Sequence, residues 1–137
     1  MKKILVGVDG SAEATAAADF AAKLAAQTGA QLLLAYTAPI FPTGTPELME
    51  RFRVSERVFA DSVLKEATAR HSRPGFTVES IVAEGDAAGQ LAALAQRDDV
   101  ELVVVGHRGR GAVKRMLLGS VADRLVQISP KPVLVFR

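Results

Sequence analysis

Val103-Val104-Val105-Gly106-His107-Arg108-Gly109-Arg110-Gly111, followed after five residues by Leu117-Leu118-Gly119-Ser120-Val121, holds the most informative local pattern in the chain. An apolar, β-branched run that stops at Gly106 reads as a buried strand, and Gly119-Ser120 opens a helix. Gly109 and Gly111 allow positive φ and close approach of the backbone to a ligand. A turn rich in such residues can aim several N–H groups into one anion-binding concavity. The free N–H groups and dipole at the start of the following helix also favour a phosphate. The Ser120 hydroxyl either caps that helix or donates to a phosphate oxygen. Taken singly, each half is an ordinary glycine-rich turn or capped helix.

The same strand-then-helix step recurs along the chain. Apolar runs at 4–8, 32–36, 77–82, 102–105 and 133–136 read as strands. The first, second, fourth and fifth are nearly continuous, as for parallel strands covered on both faces. The third alternates more (Val78, Ser80 and Val82 against Glu79), which suits a sheet edge. Between them, Ser11 can cap an alanine-rich helix that stops at Gly29. Thr45 with Pro46 and Glu47 starts a second, placing Leu48, Phe52, Phe59 and Val63 on one face. Asp86 can cap a third helix and Ser120 a fourth, the latter ended by Ser129-Pro130. The order β-α-β-α-β-α-β-α-β predicts one doubly wound, Rossmann-like α/β domain over residues 1–137, a parallel sheet with helices on both faces. Ligands of such sheets bind beyond the carboxyl ends of the strands where the winding reverses. If strand 1 is central, the loops meeting there are 8–11 and 106–119.

Composition narrows the function. A chain of 137 residues with 49% apolar and 23% charged residues is ordinary for a soluble single domain. The absence of cysteine excludes disulfides, thiolate metal sites and cysteine nucleophiles. The apolar stretch 4–8 ends at Asp9, too short for a signal-peptide core, and no run is long enough for a membrane span, so the cytoplasm is the expected location. Net charge is +2 but unevenly spread: residues 107–137 carry seven Lys/Arg against Asp123 (+6), and residues 1–106 carry ten basic against fourteen acidic groups (−4). That asymmetry suggests an anionic partner near the C-terminal third.

Taken together, the two halves of the quoted stretch read Gly106-x2-Gly109-x9-Gly119-Ser120. With this spacing the chain resembles the ATP-binding branch of the universal stress protein family. The resemblance extends over the opening Ile4-Leu5-Val6-Gly7-Val8-Asp9-Gly10-Ser11, over Leu117-Leu118-Gly119-Ser120-Val121-Ala122, and over the closing Pro132-Val133-Leu134-Val135. His107 departs from it, since the family more often has a small hydroxyl residue there. The resemblance implies a five-stranded sheet of order 3-2-1-4-5. It also implies a nucleotide site built from Gly7, Val8, Asp9, Tyr36, Val105, Gly106, Arg108, Gly109, Arg110, Gly111, Gly119, Ser120, Val121 and Ala122, with Mg²⁺ carried by the phosphates of ATP. Asp9 alone would read as a turn carboxylate, whereas the resemblance moves it to the nucleotide pocket. Tyr36 is either an adenine-lining residue or core packing with its hydroxyl at the rim. Arg110 and Lys114, inside the loop, are better phosphate candidates than Arg108 or Arg115.

Other chemistries lack their residues. There is no P-loop, no Gly-x-Gly-x-x-Gly because Lys114 stands at the third glycine, and no Gly-x-Ser-x-Gly elbow. His71 and His107 lack metal-ligand spacing. Nucleic-acid binding has no module and only 5% aromatics for stacking to support it. No residue is placed as a general base near a γ-phosphate, so dedicated catalysis is not indicated, and slow ATP hydrolysis stays open. The expectation is therefore a cytoplasmic, nucleotide-dependent stress-response protein. The alternative is a nucleotide-independent interaction module of the same fold, against which the glycine spacing argues. The final strand, if at the sheet edge, would pair with its copy in a homodimer, with Val133 and Val135 near the axis.

Overall fold

Three helices start by the same device, a short polar side chain that turns back onto the first turn. In the computed structural model, which describes residues 2–41, 43–110 and 117–137, Ser11 Oγ accepts from the Ala14 N–H at 3.1 Å, Thr45 Oγ1 from Leu48 at 3.2 Å, and Asp86 Oδ2 from Gly89 at 2.9 Å. These contacts open α1 (Ala12–Thr28), α2 (Pro46–His71) and α3 (Ala87–Ala95). Gly29 closes α1 at φ +75°, a conformation that would strain an L side chain.

The fourth helix corrects an expectation. In α4 (Ser120–Ile128) the cap is Gly119, and Ser120 is the first residue inside the helix. The Gly119 backbone is extended, its N–H donates to the His107 carbonyl at 2.6 Å, and its own carbonyl accepts from Asp123 at 2.9 Å. The turn is fixed through main chain alone, which moves the Ser120 hydroxyl off the capping position.

The strands are β1 (Lys3–Gly7), β2 (Gln31–Ala38), β3 (Val78–Glu84), β4 (Val100–Gly106) and β5 (Val133–Phe136), joined in one all-parallel sheet of order β3-β2-β1-β4-β5. The winding reverses between β1 and β4. β3 begins at Val78 and runs to Glu84, two residues beyond the alternation seen in the sequence, and none of its residues is fully buried, as befits an edge.

Side-chain alternation splits the core in two. Ile4, Val6, Leu32, Leu34, Tyr36 and Val104 face α1 and α2, where the buried alanines 17, 18, 21, 22 and 25 let α1 approach the sheet closely. Leu5, Leu33, Ala35, Val103 and Val105 face α3 and α4, against Leu91, Ala122 and Leu125. Of the stripe expected on one face of α2, Val63 packs against the core, but the rest lies beside the face that is buried most deeply. Ala60, Leu64 and His71 are its buried residues, whereas Leu48 is 49% and Phe59 38% exposed. The aromatic stripe packs along the margin instead, Phe52 on Phe41 (4.9 Å between centroids) and Phe59 on Tyr36 (5.9 Å). At the core of that contact small Ala60 permits the close helix–sheet approach that a Phe would block.

Candidate functional site

The carboxyl ends of β1 and β4 diverge because the chain leaves them toward opposite faces of the sheet, and a crevice forms between the departing loops. Asp9 ties those loops together. Its Oδ1 accepts from the Ser11 N–H at 2.9 Å, and its Oδ2 accepts from the Arg110 N–H at 2.8 Å, a residue 101 positions away. The turn role of Asp9 is thus real, and the same carboxylate also anchors the glycine loop.

Close approach, not backbone handedness, explains the glycines. A Cβ on Gly109 would lie 2.7 Å from Asp9 Oδ2, and one on Gly106 would lie 3.0 Å from the Glu13 carbonyl group. None of Gly106, Gly109 and Gly119 has positive φ, so of the two freedoms that glycine allows at 109, positive φ and close approach, the fold uses the second. Asp9 sits where that side chain would go.

The crevice is a cavity of about 380 Å³. Twelve of the expected site residues line it: Gly7, Val8, Asp9, Val105, Gly106, Arg108, Gly109, Arg110, Gly119, Ser120, Val121 and Ala122. Gly111, with Lys114 and Arg115, lies outside the described residues. Tyr36 is not among the lining residues. It is 2% exposed and faces α2, its hydroxyl donating to Glu56 Oε2 at 3.1 Å. Burial is the main influence on the phenol and pushes its pKa up. Ala35 and Thr37, one residue to either side and hence on the other face of β2, line the cavity in its place, together with Ala14, Ala87 and Leu91. Strand parity could have found them: Gly7 pairs with Ala35, so Ala35 and Thr37 share a face with Gly7.

Both donors and apolar walls line this space. The first helical bond of α4 is from Asp123, which leaves the N–H groups of Ser120, Val121 and Ala122 without intrahelical acceptors at the positive end of the helix dipole. The Ser120 hydroxyl makes no hydrogen bond among the described residues, so it can donate to a ligand. Val8, Ala35, Leu91 and Ala122 supply the apolar wall. Arg108 Nε donates to His107 Nε2 at 3.0 Å, and its Nη2 lies 3.9 Å from Glu13 Oε1. The Arg110 guanidinium stacks 4.4 Å over the Phe59 ring. Among the described residues no group of three His, Cys, Asp or Glu could hold a metal. Such a cavity suits a ligand with a flat, weakly polar part and an anionic part.

Comparison with known proteins agrees on the fold and the family. The model of the Universal stress protein family matches residues 1–137. The universal stress protein YxiE of Bacillus subtilis is 31% identical over 145 aligned positions, covering 98% of either chain. Among solved structures, UspA of Lactobacillus plantarum superposes with a TM-score of 0.87 at 26% identity, covering 99% of this chain and 97% of that one. A universal stress protein in complex with cAMP superposes with a TM-score of 0.76, also at 26% identity and with the same coverage. A glycine loop and helix start matched in spacing, a sheet of order 3-2-1-4-5 and a full-length family match converge: this chain belongs to the universal stress protein family.

Proposed function

We propose that this protein binds an adenine nucleotide in the cavity between β1 and β4 and acts as a nucleotide-dependent stress-response protein of the cytoplasm. The observation that carries the reading is that one cavity is lined both by Asp9, held on the Arg110 N–H at 2.8 Å, and by the start of α4, which has no side-chain cap. The base would lie against Val8, Ala35, Thr37 and Leu91, and the phosphates against the glycine loop and the N–H groups of α4. A related structure that holds cAMP supports the adenine part. The reading of ATP in particular rests on the Gly106-x2-Gly109-x9-Gly119-Ser120 spacing, and Mg²⁺ would be carried by the phosphates, neutralising charge there. Asp9 is committed to two backbone N–H groups, so it is a poor base for activating water, and the role is binding without dedicated catalysis.

Two measurements test this reading. Chromatography of nucleotide released by denaturing freshly purified protein should yield an adenine nucleotide; protein that carries none and takes up none on incubation with MgATP would refute it. Assembly is part of the same proposal. Among the described residues β5 pairs only with β4, and its four residues are partly exposed; Val126 and Ile128 of α4 are 55% and 41% exposed. Pairing of β5 with its copy about a two-fold axis, Val133 and Val135 nearest the axis, would satisfy that edge. Light scattering after size exclusion should give twice the chain mass at micromolar concentration, and the single-chain mass would refute the dimer.

A further inference from the structure

Arg110 belongs to the cavity by its position and to α2 by its side chain. Its backbone N–H is bonded to Asp9, yet its guanidinium lies over Phe59, on the face of the sheet away from Ala35 and Thr37. Phe59 meets Tyr36 edge to face, and the Tyr36 hydroxyl donates to Glu56 at 3.1 Å. The phenol also senses the guanidinium, because Arg110 opposes the upward push that burial and Glu56 give it. Phe59 and Tyr36 therefore form a resting place for the cation, a ring face and a phenol, with the Glu56 carboxylate holding the Tyr36 hydroxyl behind them.

Resting on the nucleotide reading above, we propose that Arg110 exchanges between two anchors: the Glu56–Phe59–Tyr36 cluster while the cavity holds no anion, and the phosphates of a bound ligand when it does. The order of strengths favours the exchange. A phosphate offers several charged oxygens that match the guanidinium fork, whereas Phe59 offers only a neutral ring on a residue 38% exposed, and Glu56 is already engaged by Tyr36. Only side-chain torsions need change, so the Arg110 N–H keeps its bond to Asp9 throughout. Occupancy of the cavity is thereby reported on α2, where Phe59 loses its cover beside Val58, itself 65% exposed.

The chain carries one tyrosine and no tryptophan, so biosynthetic 3-fluorotyrosine places a single ¹⁹F resonance inside the cluster. In ligand-free protein Arg110→Ala should displace that resonance. MgATP should displace the wild-type resonance in the same direction, adenosine should leave it in place, and MgATP should not move the resonance of Arg110→Ala. Glu56→Gln, which weakens the resting place, should tighten MgATP by roughly threefold, because less of the cation is held away from the ligand; a merely structural Glu56 would weaken it or do nothing. Calorimetric saturation by MgATP with an unmoved wild-type resonance, or with unchanged or weaker affinity in Glu56→Gln, overturns the exchange and leaves nucleotide binding intact. Absence of calorimetric binding overturns both.

Discussion

At the amino ends of the strands the charged groups are matched to one another, whereas at the carboxyl ends the polar groups turn toward a cavity. Lys3 Nζ reaches Glu79 at 2.8 Å and Asp99 at 2.9 Å, and Arg97 grips Asp99 through two hydrogen bonds of 3.1 and 3.0 Å. Lys131 Nζ binds the carbonyls of Arg97 and Val100. Arg97 first, and Lys3 after it, hold the Asp99 carboxyl well below the usual carboxylate range. Beyond Asp9 at the other end, the N–H groups of Ser120 to Ala122 and the Ser120 hydroxyl have no such partners among the described residues. One end of the sheet spends its charges on structure, and the other keeps its donors for a ligand. The basic excess of the C-terminal third divides along the same line. Lys131 serves the amino-end network, while Arg108 and Arg110 stand at the cavity and Arg124 pairs at 2.9 Å with Asp86, next to the cavity-lining Ala87.

The largest break in this comparison should come from Gly109→Val. Its Cβ would collide with Asp9 Oδ2, so either that carboxylate gives up its bond to the Arg110 N–H or the loop shifts, and MgATP affinity should fall by about 100-fold or more while the circular dichroism of the fold is kept. Titration calorimetry checks it, and a folded variant of unchanged affinity would make the loop merely structural. Ser120→Ala should cost about 1.5–3 kcal/mol of binding, roughly 10- to 150-fold, as for a hydrogen bond to a charged group, with little change in melting temperature because Ser120 caps nothing.

The closed end should behave in the opposite sense. Lys3→Met should lower the melting temperature slightly, less so at high salt, and leave MgATP affinity unchanged. Its acid dependence follows from Asp99. The folded pKa lies below the ordinary 3.8, so the carboxylate's contribution is complete above that value and is lost as pH falls through it toward the lower folded value. Asp99→Asn should flatten the stability profile in that acid window, and an unaltered profile would show that the ion pairs there carry no weight.

Much of the fold was legible because its signals are local. Ser11, Thr45, Asp86 and Gly29 act within one turn of the residues they fix, and the apolar runs announce buried parallel strands whatever lies around them. The cavity was legible where its geometry follows from spacing, as in Gly106, Gly109 and Gly119. What stayed hidden depends on which face of the sheet a residue points to and on what covers that face. Tyr36 is a large aromatic at the end of a strand next to the crevice, but it faces α2, and the smaller Ala35 and Thr37 face the cavity. The Leu48–Phe59 stripe has helical spacing, yet α2 buries Ala60 and Leu64, because contact area with a flat sheet rewards small residues at the nearest point. Ser120 looks like a cap in sequence, but the Gly119 N–H bond to the His107 carbonyl, set by a loop that returns to β4, shifts the helix start by one residue.

Thermal unfolding with and without MgATP bears most directly on whether the open end is a nucleotide site. A ligand at about 100 times its dissociation constant adds roughly 2.7 kcal/mol to a folded protein, a rise of several degrees for a chain of this size. Wild-type protein should show that rise, and Gly109→Val should lose it while Lys3→Met retains it. A wild-type melting temperature unmoved by millimolar MgATP, ADP or AMP would contradict nucleotide binding at the carboxyl ends of β1 and β4.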